Sequence, residues 1–122
     1  MFSIDEVNEM LDEIAAELPD EIFIDLNGGV SLLPETKRSS ADPSGCLFTL
    51  GEYHRDQMGR YIVIYYGSVL AVHGNSTREE LYAELKKLLA HELTHHLESL
   101  AGDRDLEIED ERNLDDYFRG YR

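Results

Sequence analysis

Leu85-Lys86-Lys87-Leu88-Leu89-Ala90-His91-Glu92-Leu93-Thr94-His95-His96-Leu97 is the stretch that decides how this chain folds. At about 100° per helical step, Leu85, Leu89, Leu93, Leu97 and Leu100 fall on one side, with His91, His95 and Glu98 nearly opposite. The leucines are the expected core face. His91 and His95 project from the other face one turn apart, so both can reach a single metal ion. Glu92 stands beside them, suited to take a proton from a water acidified by the ion and pass it to a leaving amine. Two imidazoles and a carboxylate that is not a ligand form the HExxH pattern of zinc hydrolases. His96 lies between the two faces and reads as structural rather than ligating.

A site of this kind needs a third protein ligand and an open position for water. Glu98 shares the histidine face, three residues past His95, although three ligands from one straight helix strain a tetrahedral arrangement. Asp105 follows Gly102, where a turn would let the chain return beneath the histidines. Asp105 is preferred over Glu98, with Asp103, Glu107 and Glu109 as further carboxylates.

Outward from the motif, Ser76-x-x-Glu79 and Thr77-x-x-Glu80 both fit a capping box, so the long helix is expected from there to about Ala101, with Gly102 as its stop. Upstream, Tyr61 to Tyr66 is the strongest strand signal. Val30 to Leu33 and Cys46 to Tyr53 also read as strands, Val69 to Val72 as a short fourth, and Glu35 to Gly45 as a loop. Ser3-Ile4-Asp5-Glu6 is a capping box opening a helix over about 4 to 18. A second helix is expected from Pro19 towards Gly28, although Ile22, Ile24 and Leu26 also alternate as in a strand.

The chain has 122 residues, enough for one hydrophobic core, and is read as a single domain over 1 to 122. Eleven Lys and Arg stand against 26 Asp and Glu, a net charge of −15 that repels phosphate backbones and anionic membranes, so neither nucleic acid nor membrane is an expected partner. Cys46 is alone, which excludes an intrachain disulfide and a Cys-rich zinc cluster and fits a reducing compartment. With no apolar leader or spanning run, a soluble cytoplasmic protein is expected.

With its short length, the segment Gly59-Arg60-Tyr61-Ile62-Val63-Ile64-Tyr65-Tyr66-Gly67 and the helix ending in His91-Glu92-Leu93-Thr94-His95-His96, the chain resembles the minimal zincin-like metallopeptidases of bacteria. The resemblance runs from the first helix to about Glu111. It implies a compact α+β fold in which the long motif helix packs on a small mixed sheet, with an N-terminal helix or helix pair. It also implies one Zn2+ per chain, hydrolysis of peptide bonds in a peptide or protein substrate, and Glu92 as the catalytic acid/base. Those proteins commonly continue as HExxHxxGxxD. Here Glu98 stands at the glycine position and Gly102-Asp103-Arg104-Asp105 comes four residues later, a shift of about 6 Å along a helix. In zincins an edge strand holds the substrate by main-chain pairing, and Tyr61 to Gly67 is the candidate strand. Tyr65, Tyr66 and His54 are candidates for contacting substrate or stabilising the oxyanion. The alternative reading is a metal-binding or protein-interaction module that keeps the scaffold with little turnover.

Overall fold

The computed structural model describes residues 1–39 and 47–104, and of Asp103 and Arg104 only the backbone. Helix α1 spans Ile4–Glu17 and opens on the expected box: Glu6 N–H donates to Ser3 Oγ, and Ser3 N–H donates to Glu6 Oε1. Val7, Met10, Leu11 and Ile14 form its buried stripe. The expected second helix is a single 3-10 turn at Asp20–Phe23. Asp25, at φ 61°, then bends the chain and brings it into β1, Gly29–Leu33.

A short β2, Lys37–Arg38, pairs antiparallel with β3, Phe48–Thr49. The expected loop over 35 to 45 therefore contains a two-residue strand. After β3 come β4, Gly51–Asp56, and β5, Gly59–Tyr65, joined by a tight turn. The three-stranded sheet has the order β1-β5-β4, with β5 parallel to β1 and antiparallel to β4. So β5 is the central strand, and the expectation that Tyr61 to Gly67 forms the substrate edge is corrected. Its run of β-branched residues, with Ile62, Val63 and Ile64 buried, is that of a strand paired on both sides. The edge facing the motif helix belongs to β4.

A second correction concerns Val69 to Val72, which lies in a helix, α2, spanning Tyr66–His73. The β propensity of its valines is overridden by packing. Ser68 is fully buried and uses its hydroxyl both to accept from Lys37 N–H and to donate to Lys37 C=O, which anchors α2 to β2.

Helix α3 spans Arg78–Arg104. Of the two candidate boxes, Thr77 and Glu80 form the one seen, each backbone N–H bonded to the other's side chain. Gly102 does not stop the helix, since the α-helical backbone continues through it to Arg104. Leu81, Leu85, Leu89, Leu93, Leu97 and Leu100 are all buried, and the first five meet α1 and the inner face of the sheet at Ile62 and Ile64. Lys86 pairs with Glu17, and Tyr82 donates to the same carboxylate, which fixes the end of α1 against α3. Among the described residues, no helix is long and apolar enough to cross a membrane.

Candidate metal centre

The leucine ridge turns the opposite face of α3 towards β4 and solvent. His91 and His95 are both exposed there, with ring planes at 84° and Nε2 atoms 3.1 Å apart. Two ligands each about 2.05 Å from one zinc ion at that separation subtend about 100°, near a tetrahedral angle. The pair therefore fits one tetrahedral ion. Among the described residues, no set of three His, Cys, Asp or Glu is gathered closely enough to complete such a site. Glu98 lines the same groove as the two histidines without joining them in a ligand set. Asp105, the other expected third ligand, and Glu107 and Glu109 lie outside the described residues, as does Cys46. Asp103 lies in α3, its side chain outside the description.

Glu92 is 5% exposed, yet no hydrogen bond or ion pair engages it among the described residues. Burial pushes its carboxyl above the usual carboxylate range, and the neighbouring His91 and His95 only partly offset this. A carboxyl held above its ordinary range beside a pair of imidazoles is suited to moving a proton.

His96 is fully buried and, as expected, structural. Its Nε2 lies 2.7 Å from Ile24 C=O, which can only accept, so Nε2 carries a proton. Burial holds the imidazole below its ordinary pKa, hence neutral, and Nδ1 is left as the acceptor for Tyr53 Oη at 2.9 Å. The Tyr53 proton is thereby committed to His96. The pair joins β4 to α3 and α3 to the turn after α1.

Between β4 and α3 lies an open groove of about 680 Å³, lined by Gly51 to His54 on one side and by His91, Glu92, His95, Glu98 and Ser99 on the other. Gly51 sits over Leu88 and Tyr53 reaches His96, so strand and helix run in the same direction along it. Tyr65 N–H donates to Leu50 C=O across the β4–β5 ladder. Alternation then pairs Glu52 and His54 with β5 and turns the main-chain groups of Gly51 and Tyr53 to the open edge.

Glu52 heads a polar cluster on the outer face of β4. It accepts from Tyr65 Oη at 2.6 Å, pairs with Lys37 and lies 3.1 Å from His54 Nε2. Burial raises its pKa, but these three partners outweigh burial and hold the carboxyl below its ordinary value. His54 also stacks on Tyr61, with ring centroids 5.0 Å apart. Of the three candidate contact residues, His54 lines the groove. Tyr65 is bound to Glu52, and Tyr66 donates to Phe2 C=O at 2.6 Å, so neither phenol faces the groove. Glu52 and Tyr53 were not singled out by the sequence. The polar alternation of Gly51 to Asp56, beside the apolar run of β5, is the signal that marks an edge strand.

The fold and groove define an α+β domain with a histidine pair facing a sheet edge. No family model matches the chain, and no curated protein matches it. A solved structure of a conserved hypothetical protein from Thermo thermophilus superposes with a TM-score of 0.71 at 32% identity, across 83% of this chain and 99% of that one. This chain belongs to the same family as that protein.

Proposed function

We propose that this protein is a zinc-dependent metallopeptidase of the HExxH type, with a compact zincin-like core. The observation that carries the reading is the convergence of His91 and His95, with Nε2 atoms 3.1 Å apart, beside a buried Glu92 on the wall of a groove. His91 and His95 would hold Zn2+, with Asp105 as third ligand and Glu98 as the alternative. When bound, the ion supplies a Lewis acid that lowers the pKa of water and polarises the scissile carbonyl. Glu92 takes a proton from the attacking water, whose oxygen bonds to the carbonyl carbon. As the C–N bond breaks, the nitrogen keeps the bonding pair and receives that proton from Glu92. Tyr53, its proton held by His96, contributes none to an oxyanion. His54 is the remaining candidate on the β4 side. The lone cysteine supports a cytoplasmic setting for this activity.

The test is zinc content together with peptide hydrolysis. Wild type should bind one zinc per chain and cleave members of a peptide library. The double variant His91→Ala/His95→Ala should bind none, and Glu92→Gln should keep the metal and lose cleavage. Zinc retained by the double variant would remove the ligand assignment, and full activity in Glu92→Gln would remove the acid/base. A second reading keeps the scaffold for metal binding or protein interaction without turnover. Zinc binding without cleavage of any library member would select it.

A further inference from the structure

The two walls of the groove carry different kinds of polar group. On α3, Glu92 is buried beside the histidine pair. On β4, Glu52 and His54 project from one face of the strand, and the charges of both reach Glu92 across the groove. Glu52 is not free to turn towards a ligand. Tyr65 Oη donates to its Oε1 at 2.6 Å, and the Lys37 ammonium holds its Oε2. Its third contact is His54, whose Nε2 lies 3.1 Å from the same Oε1. A carboxylate can only accept, so Nε2 carries the proton. Tyr61 holds the ring by its face, stacked at 16° with centroids 5.0 Å apart. Edge and face are thus both fixed, on a ring that lines the groove. Its Nδ1 has no partner among the described residues, and in the neutral ring that atom is an acceptor.

We propose that Glu52 is a positioning residue, which holds His54 so that Nδ1 accepts the N–H of the amide being cleaved. The proposal rests on the peptidase reading. It assigns His54, the candidate left on the β4 side, to the leaving nitrogen rather than to the oxyanion. With its N–H drawn to the β4 wall, the nitrogen turns its lone pair to the opposite wall, where Glu92 stands. As the C–N bond breaks, the nitrogen keeps the bonding pair and takes its proton from Glu92, while the original N–H stays bonded to Nδ1. A proline or N-methylated residue on the leaving side has no N–H to offer, so such bonds are poor substrates.

Two readouts test this without cleavage. The first is the nitrogen-15 spectrum of the histidine rings at about pH 8, where histidine is ordinarily neutral, with His54 assigned by its loss in His54→Phe. His54 should be an Nε2–H tautomer in wild type, and Glu52→Gln, whose amide can donate as well as accept, should give both tautomers. The second is the affinity of zinc-loaded protein for acetohydroxamate against N-methylacetohydroxamate, which binds zinc through the same two oxygens but has no N–H. Wild type should favour the first roughly fivefold, and both His54→Phe and Glu52→Gln should erase most of that preference at one zinc per chain. An Nδ1–H tautomer in wild type overturns the proposal, as does a single unchanged tautomer in both Glu52→Gln and Glu52→Ala. Equal affinities in wild type also overturn it, and so does a preference that survives His54→Phe, which would mark a clash with the methyl group. Zinc content and peptide cleavage are scored separately. A preference removed by His54→Phe in a protein that cleaves nothing leaves the acceptor on β4 standing and sinks only the peptidase reading.

Discussion

The hydroxyl of Tyr53 stands 2.9 Å from Nδ1 of His96, and that bond fastens the edge strand β4 to the motif helix α3. Tyr53→Phe removes the donor and leaves a buried imidazole nitrogen without a partner. The variant should lose about 1 to 2 kcal/mol of stability in urea denaturation. It should also loosen the groove, so a raised KM for peptide should accompany the lost stability. His96→Ala should cost more, since it opens a cavity and strands both Tyr53 Oη and Ile24 C=O.

Zinc should raise the melting temperature of wild type, because the two imidazoles converge only in the folded chain. At free zinc one hundred times Kd the stabilisation is about 2.7 kcal/mol. Glu92→Gln should keep the shift, since the proposal gives its carboxylate no ligand role. The double variant His91→Ala/His95→Ala should show none in the same thermal scan, and a chelator should reverse the shift in wild type.

Glu52 links acidity to stability. Lys37, Tyr65 and His54 outweigh the burial that raises its pKa, so the folded pKa lies below the unfolded value of about 4.3. Its contribution is therefore present above that value and is lost as pH falls through the folded pKa. Glu52→Gln should be less stable than wild type at pH 7 by about 1 to 2 kcal/mol, and the gap should narrow below about pH 4. Denaturation midpoints of the metal-free proteins between pH 3 and 7 measure this.

Gly51 sets the spacing of the groove. A Cβ there would lie 3.1 Å from Ile64 Cδ1, 3.2 Å from Leu88 Cδ1 and 3.3 Å from Val63 C=O. Gly51→Val should push β4 off the helix and cost about 1 to 3 kcal/mol. Peptide binding should weaken while zinc stoichiometry is unchanged, because His91 and His95 both sit on α3.

The sequence disclosed what depends on spacing along one element. The Ser3 and Thr77 boxes, the leucine ridge of α3 and the facing of His91 and His95 follow from helical periodicity alone. It misled where an element's place in the fold decides. The Tyr61 to Tyr66 run announces a strand, but its buried isoleucines on both sides of Val63 belong to a central strand, and the edge falls to the more polar Gly51 to Asp56. Val69 and Val72 carry β propensity, yet the buried Ser68 hydroxyl holds their segment as a helix against Lys37. Gly102 permits a helix end without imposing one, and α3 runs on past it. The Tyr53–His96 bond joins residues 43 apart in sequence, so no local pattern announces it.

The open edge of β4 presents the main-chain groups of Gly51 and Tyr53 to a second copy of the same strand. What holds such copies apart is charge. Two molecules of net charge −15 repel before their edges can meet. Salt shortens the range of that repulsion. Colloidal stability thus draws on this surplus of carboxylates, and a variant neutralised for tighter crystal packing or easier concentration is expected to surrender it.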